Sequence, residues 1–251
     1  MSKRKSILLM IGGVAVLVFA YAWFLGLATA FALEARYIGW KMPIVRKTPV
    51  DLPDLSVSPQ QSHKLTYFGY EFEVPWEVDE AKTKQTGKIQ RITFRSGNTL
   101  LFSKMAPKEF VDTFLSGAKA DPERLRKLYG EDALASDYAL YRQILEATPA
   151  KVSLFTPRRE AVGEAMLLVI KGIMIPSGGE TGIFRIRTGD FQGFQYGDPL
   201  RRPKSLEVKI FSNDGGLAFL FVQQEKGPVP PITQAEVNRT IQSIRKVSDQ
   251  Q

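Results

Sequence analysis

From Ile7 to Leu33 no residue carries a charge; the run reads ILLMIGGVAVLVFAYAWFLGLATAFAL. As a helix rising about 1.5 Å per residue it spans roughly 40 Å, more than the ~30 Å hydrocarbon core of a bilayer. Lipid offers no partner to backbone N–H and C=O groups, so a helix is the conformation such a run must take there. The expectation is a single transmembrane anchor over residues 7–33, behind a basic tail over 1–6 that holds Lys3, Arg4 and Lys5. Tyr37 and Trp40 then fall at the far interface, where amphipathic rings prefer to lie. A cleaved signal peptide, with Ala28-Thr29-Ala30 as its processing site, is the rival reading. Against it, the apolar stretch is about twice the usual ~7–15 residues of a signal core. A buried helix of a soluble protein is the third reading.

Orientation rests on charge. Lys3, Arg4 and Lys5 favour a cytoplasmic N-terminus, although Arg36, Lys41, Arg46 and Lys47 follow the run closely. The rest of the chain is therefore expected on the extracytoplasmic, periplasmic side of a cell inner membrane, as in a single-pass signal anchor. The formal net charge is +8, of which the tail supplies three, leaving about +5 downstream. That mild excess calls for no nucleic acid.

Beyond the anchor, residues 34–63 read as a juxtamembrane segment and tether. Pro43, Pro49, Pro53 and Pro59 recur there with little apolar periodicity, which predicts a semi-rigid spacer holding the domain off the bilayer. The folded domain is expected over 64–247, with a polar tail at 248–251. In YFGYEFEVPW, Phe68, Tyr70, Phe72 and Val74 point to one face and Glu71 and Glu73 to the other, the period of a half-buried strand. Ile89 to Arg95 and Thr99 to Ser103 flank Ser96-Gly97-Asn98 as a hairpin.

The centre reads as helical. Asp121-Pro122 opens a helix that Gly130 ends, Ser136 caps a second, and Thr156-Pro157 opens a third. In that third helix Val162, Ala165, Met166, Val169 and Ile170 form the expected buried stripe. Strands return at Gly182–Thr188, Phe191–Tyr196, Leu206–Phe211 and Leu217–Val222, paired as hairpins. Thr233 and Glu236 make a capping box for a last helix, with Ile232 and Val237 as a hydrophobic staple and Val237, Ile241 and Ile244 as its buried face. Runs of strands around a helical block predict an α+β domain, an antiparallel sheet flanked by helices.

The aromatic opening strand from Phe68 to Trp76, and the stretch from Leu217 through the capped helix to Ile244, resemble the Mog1/PsbP-like α+β fold. The helical block from Pro107 to Pro149 departs from a compact member. Members of that group serve mostly as accessory or assembly subunits of larger complexes, so the resemblance implies a protein partner in the envelope.

Chemistry is sparsely provided for. With no cysteine, disulfides, thiolate catalysis, cysteine-ligated zinc and iron–sulfur clusters are excluded. His63 is the single histidine and lies where the tether meets the first strand, so a Ser–His pair and a histidine-rich metal site are poorly supported. No G-x-S-x-G elbow, Walker loop, G-x-G-x-x-G, H-E-x-x-H or acidic calcium loop occurs. No cofactor and no catalytic residue is assigned. Glu71, Glu73, Glu180 and Asp190 are carboxylates that a hydrolase of the two-acid kind would draw on, although nothing in the sequence couples any pair.

Two segments remain as candidate binding sites. GDFQGFQYGDPLRRPK, from Gly189 to Lys204, sets Phe191, Phe194 and Tyr196 among Gly189, Gly193 and Gly197, with Arg201, Arg202 and Lys204 after them. It reads either as a hairpin whose rings face the core or as a partner-binding loop. Arg158 and Arg159 lie in the first turn of a helix, where positive charge opposes the dipole, and are either solvated or an anion site. The leading expectation is a non-enzymatic, membrane-anchored envelope domain that binds or scaffolds other proteins. The alternatives are a carboxylate-dependent envelope hydrolase, or a module binding anionic lipid or cell-wall polymer through the five basic residues just named.

Overall fold

The computed structural model describes residues 30, 32–53, 56–117, 122–153, 156–175, 181–197, 205–224 and 231–247. The expected anchor over 7–33 lies almost wholly outside them, as do Glu180 and the tail 248–251. The described chain begins with helix 32–41 (α1) and a single 3-10 turn at Pro43–Arg46. Strands follow as β1 (Val50–Asp51), β2 (His63–Tyr67), β3 (Tyr70–Val74), β4 (Lys84–Thr86), β5 (Ile89–Thr93) and β6 (Thr99–Met105). The helical block is α2 (Glu109–Gly117), α3 (Pro122–Tyr129), α4 (Asp137–Glu146) and α5 (Arg158–Met174). Then come β7 (Ile183–Thr188), β8 (Phe191–Tyr196), β9 (Ser205–Ser212), β10 (Gly215–Val222), α6 (Gln234–Gln242) and β11 (Arg245–Lys246).

Eight strands form one sheet in the order β1-β7-β8-β9-β10-β6-β5-β4, and β11-β3-β2 form a second. The class is α+β, but one antiparallel sheet gives way to two, the larger of them mixed. Its parallel pair is β1 with β7, where Val50 lies opposite Phe184 and Asp51 opposite Arg185. The other strand pairs are antiparallel.

Alternation along the strands gives the large sheet two apolar faces. Leu206, Val208, Ile210, Leu217, Phe219 and Phe221 meet Phe72 of the small sheet and Val237 and Ile241 of α6. Phe72, Phe102 and Phe219 centre this layer, with ring centroids 4.8–5.5 Å apart. On the opposite face Phe194, Tyr196 and Phe211 are covered by the helical block and by Ala32 and Ala35 of α1. Helix starts follow the expected chemistry: Ala139 N–H donates to Ser136 Oγ at 3.1 Å, and Thr233 and Glu236 close a capping box before α6.

Two expectations are corrected. The stretch over residues 34–63 is no free spacer, because Ile44 and Val45 are buried and β1 joins the large sheet. Ser58 is buried too; its N–H donates to Ala235 O at 3.1 Å, and Arg239 donates to its carbonyl. Prolines remove N–H groups, and several of the remaining polar groups of this stretch are taken up by β7 and α6: Leu52 N–H donates to Arg185 O, and Asn238 donates to Ser56 O.

The second correction concerns α5. Val162 and Val169, expected inside, are each 41 % exposed, while the buried line is Ala161, Leu168, Lys171 and Ile175, with half-buried Glu164 between them. Those positions recur at intervals of three and four, the spacing of one helix face. Apolar residues surround α5, so periodicity alone does not choose among its faces, and two charged residues disguise the one that is buried.

Candidate functional site

A cleft of about 250 Å³ opens where the amino end of α4 faces the turns β7–β8 and β9–β10. Ser136, Asp137 and Tyr138 form one wall, Asp190 and Gln192 another, and Phe211, Ser212 and Asn213 a third, with Lys108 at the rim. Asp137 stands in the first turn of α4, where an acid suits the helix dipole. Val111 N–H donates to its Oδ1 at 3.0 Å, so the side chain also caps α2 from outside that helix. Its Oδ2 meets no hydrogen-bond partner among the described residues. Burial pushes the Asp137 carboxyl up; the amides of Val111 and Phe110 oppose this, and Asp112 and Glu109 add to it. A carboxyl that keeps its proton to higher pH, in one cleft with a second acid, can donate a hydrogen bond while its companion accepts one.

Behind Phe211 the same sheet face carries a polar cluster. Lys209 Nζ pairs with Glu207 at 2.8 Å and lies 5.4 Å from the ring centre of Tyr141 and 5.9 Å from that of Tyr196. Burial pulls the Lys209 pKa down, but Tyr141 and Glu207 outweigh it and the net shift is upward. Lys209 therefore stays cationic, as a cation–π and ion-pair partner. Tyr196 Oη is buried without a hydrogen-bond partner among the described residues, and burial, with Tyr141 and Glu207 adding, raises its pKa well above the ordinary value.

Another buried cation closes the opposite end of the helical layer. Lys171 is fully buried, and its Nζ donates to Lys47 O and Leu145 O at 2.6 Å, Ala147 O at 2.8 Å and Val45 O at 3.4 Å. Two of these carbonyls end α4, where the dipole favours positive charge. The other two belong to the stretch just after α1. One ammonium thus joins three segments.

The residues singled out from sequence are dispersed. Phe194 and Tyr196 are 0 % and 1 % exposed, so the hairpin reading applies to them and they are withdrawn from any partner surface. Phe191 packs half-buried on the other face, 6.3 Å from the ring of Tyr70. Arg201, Arg202 and Lys204 lie outside the described residues. Arg159 is exposed beside Arg158 at the start of α5, where Pro157 supplies no side-chain cap. His63 opens β2 opposite Val74. Glu71 pairs with Lys64 at 2.7 Å; Glu73 accepts from Ser62 at 2.7 Å and Arg239 at 3.2 Å, and the Ser62 bond leads in holding its carboxyl down. Of the acids named beforehand, Asp190 is the one that lines the cleft. Asp137 follows a serine cap, where an acid reads as ordinary helix chemistry, so sequence alone does not single it out.

Gly193 admits a close approach, but from within: a Cβ there would fall 1.9 Å from the Lys209 carbonyl oxygen and 2.7 Å from Ile210 Cα. Gly193→Ala is expected to destabilise the domain by about 1–3 kcal/mol, because backbone cannot yield as a side-chain tip does. The urea midpoint measures this, and an unchanged midpoint would show that β8 and β9 part freely.

Among the described residues no helix is long and apolar enough to cross a membrane, and no group of three or more His, Asp or Glu side chains is placed to hold a metal ion. No family model, no curated protein and no solved structure matches the chain.

Proposed function

We propose that the protein is a single-pass, membrane-anchored envelope domain on the periplasmic side that binds or scaffolds other proteins. The observation that carries this is the uncharged run from Ile7 to Leu33, whose last residues belong to α1. That helix is docked on the domain through Ala32 and Ala35, with Ile38 and Met42 packed against the same core. The Mog1/PsbP-like resemblance supports an accessory or assembly role.

The test is fractionation of cells followed by carbonate washing and protease treatment from the periplasmic side. The intact chain is expected in the carbonate-resistant membrane fraction, digested from outside. Recovery of the full-length chain in the aqueous supernatant overturns the anchor. A second reading, a carboxylate hydrolase, is favoured by the shared cleft of Asp137 and Asp190. Purification in gentle detergent separates the two: co-purifying envelope proteins support the scaffold, whereas turnover of a glycan without any partner supports the hydrolase.

A further inference from the structure

The three most exposed large apolar side chains among the described residues are Ile173, Trp40 and Leu33, at 78, 65 and 59 %. Two of them stand on α1 and the third near the carboxyl end of α5. Fully burying a side chain of this size is worth about 1.5–3 kcal/mol, so such exposure in water marks a surface awaiting cover. On α5, Val162, Val169 and Ile173 are spaced by seven and four residues, which puts them on one line about 16 Å long. The two helices meet where Met42 packs on Gly172: a Cβ at Gly172 would come within 2.5 Å of Met42 Sδ. Along the chain, Ile173 is one residue from this contact and Trp40 two.

Resting on the anchored reading above, we infer that the face formed by α1 and the carboxyl-terminal half of α5 lies against the bilayer, with Val169 and Ile173 turned to the lipid headgroup interface. The occupant follows from where the undescribed chain ends. Leu33 is the last residue of the uncharged run, and α1 carries straight on from it into the domain core, so the membrane's edge is delivered to this face. Trp40 supplies an interfacial ring, and Lys41 Nζ sits 4.6 Å over it. Charge agrees: Arg36 and Arg46 flank a cleft of about 460 Å³ floored by Pro149 and Ala150, suited to a lipid phosphate beside apolar surface. The stretch that follows α1 is fixed by Lys171 and β1, so the domain cannot swing clear as a spacer would allow.

The absence of cysteine makes the test direct. Ile173→Cys and, as control, Ile89→Cys, 47 % exposed on β5, are made in the full chain, labelled with a solvent-sensitive nitrobenzoxadiazole probe and reconstituted into phosphatidylglycerol–phosphatidylcholine vesicles. In protein that floats with the vesicles, the probe at 173 is expected to be blue-shifted and quenched by doxyl-labelled lipid at least twofold more than the probe at 89. Equal quenching at the two positions overturns the inference while leaving the anchor intact. A blue shift at 173 that doxyl lipid does not quench, and that grows with the protein-to-lipid ratio, also overturns it, since a second copy then covers the stripe. Failure to float at all rejects the anchor and this inference with it.

Discussion

Lys171→Met is expected to lower the stability of the domain by about 3–5 kcal/mol, read from urea unfolding of the detergent-solubilised chain by circular dichroism. The side chains are of similar length, so packing is roughly kept. The ammonium is lost, and with it the donor shared by the carbonyls of Lys47, Leu145, Ala147 and Val45. A buried acceptor that loses its donor costs about 1–3 kcal/mol, and all three N–H donors of the ammonium are withdrawn here. The opposing gain is relief from burying a charge. Burial, with Lys151 adding and Glu164 opposing, holds the Lys171 pKa at about 8, against 10.5 for a free lysine, which is worth roughly 3 kcal/mol. The lost hydrogen bonds outweigh it.

The same residue fixes a pH dependence. Because the folded pKa lies below the unfolded one, the folded state sheds its proton first as pH rises. Between pH 8 and 10.5 the unfolded chain binds more protons at this site, so stability contributed by Lys171 climbs with pH and is lost again as pH falls through 8. Lys171→Met lacks this slope, and other titrations cancel between the two proteins. The gap between them should therefore widen by roughly 3 kcal/mol across that window. A gap that is flat or narrows would mean that Lys171 is not held as a buried ammonium.

Lys171 also shows why part of the fold was hidden in the sequence. Where a local signal is complete, the element is found where expected. The alternation of Tyr70, Phe72 and Val74 gives β3, the hairpin β5–β6 turns at Gly97 with φ +91°, and Thr233 with Glu236 starts α6. These depend on neighbours in the chain. Choosing the face of α5 does not: Ala161 and Leu168 share their line with Glu164 and Lys171, and what makes a lysine acceptable inside is a set of carbonyls from elsewhere in the chain. A stripe search therefore selects Val162 and Val169, which are clean and exposed. β1 is hidden for a related reason. Two residues in a proline-bearing stretch have no period, and the pairing partner Phe184 lies far along the chain. The candidate cleft was half legible. Asp190 is one of four carboxylates that the sequence offers without coupling any pair, whereas Asp137 acquires its raised pKa from burial that only tertiary packing imposes.

Phe194→Ala is expected to destabilise the domain by about 3–5 kcal/mol, the range for emptying a buried aromatic site. The Phe194 ring is fully buried, and Tyr138 stacks on it with centroids 5.6 Å apart and planes 14° from parallel. Tyr138 also lines the cleft, so the cavity would loosen the first turn of α4 and the Asp137 cap on α2. Phe191, on the opposite sheet face and half-buried, has less to lose, and Phe191→Ala should cost about 1–2 kcal/mol. The two substitutions separate the readings of this aromatic hairpin. A core role makes Phe194→Ala the more destabilising and leaves any envelope partner bound to whatever fraction is folded. A recognition role predicts the reverse, partner loss at unchanged unfolding midpoint. If Phe194→Ala leaves the midpoint within the error of wild type, the packing of α4 on β8 described above is wrong.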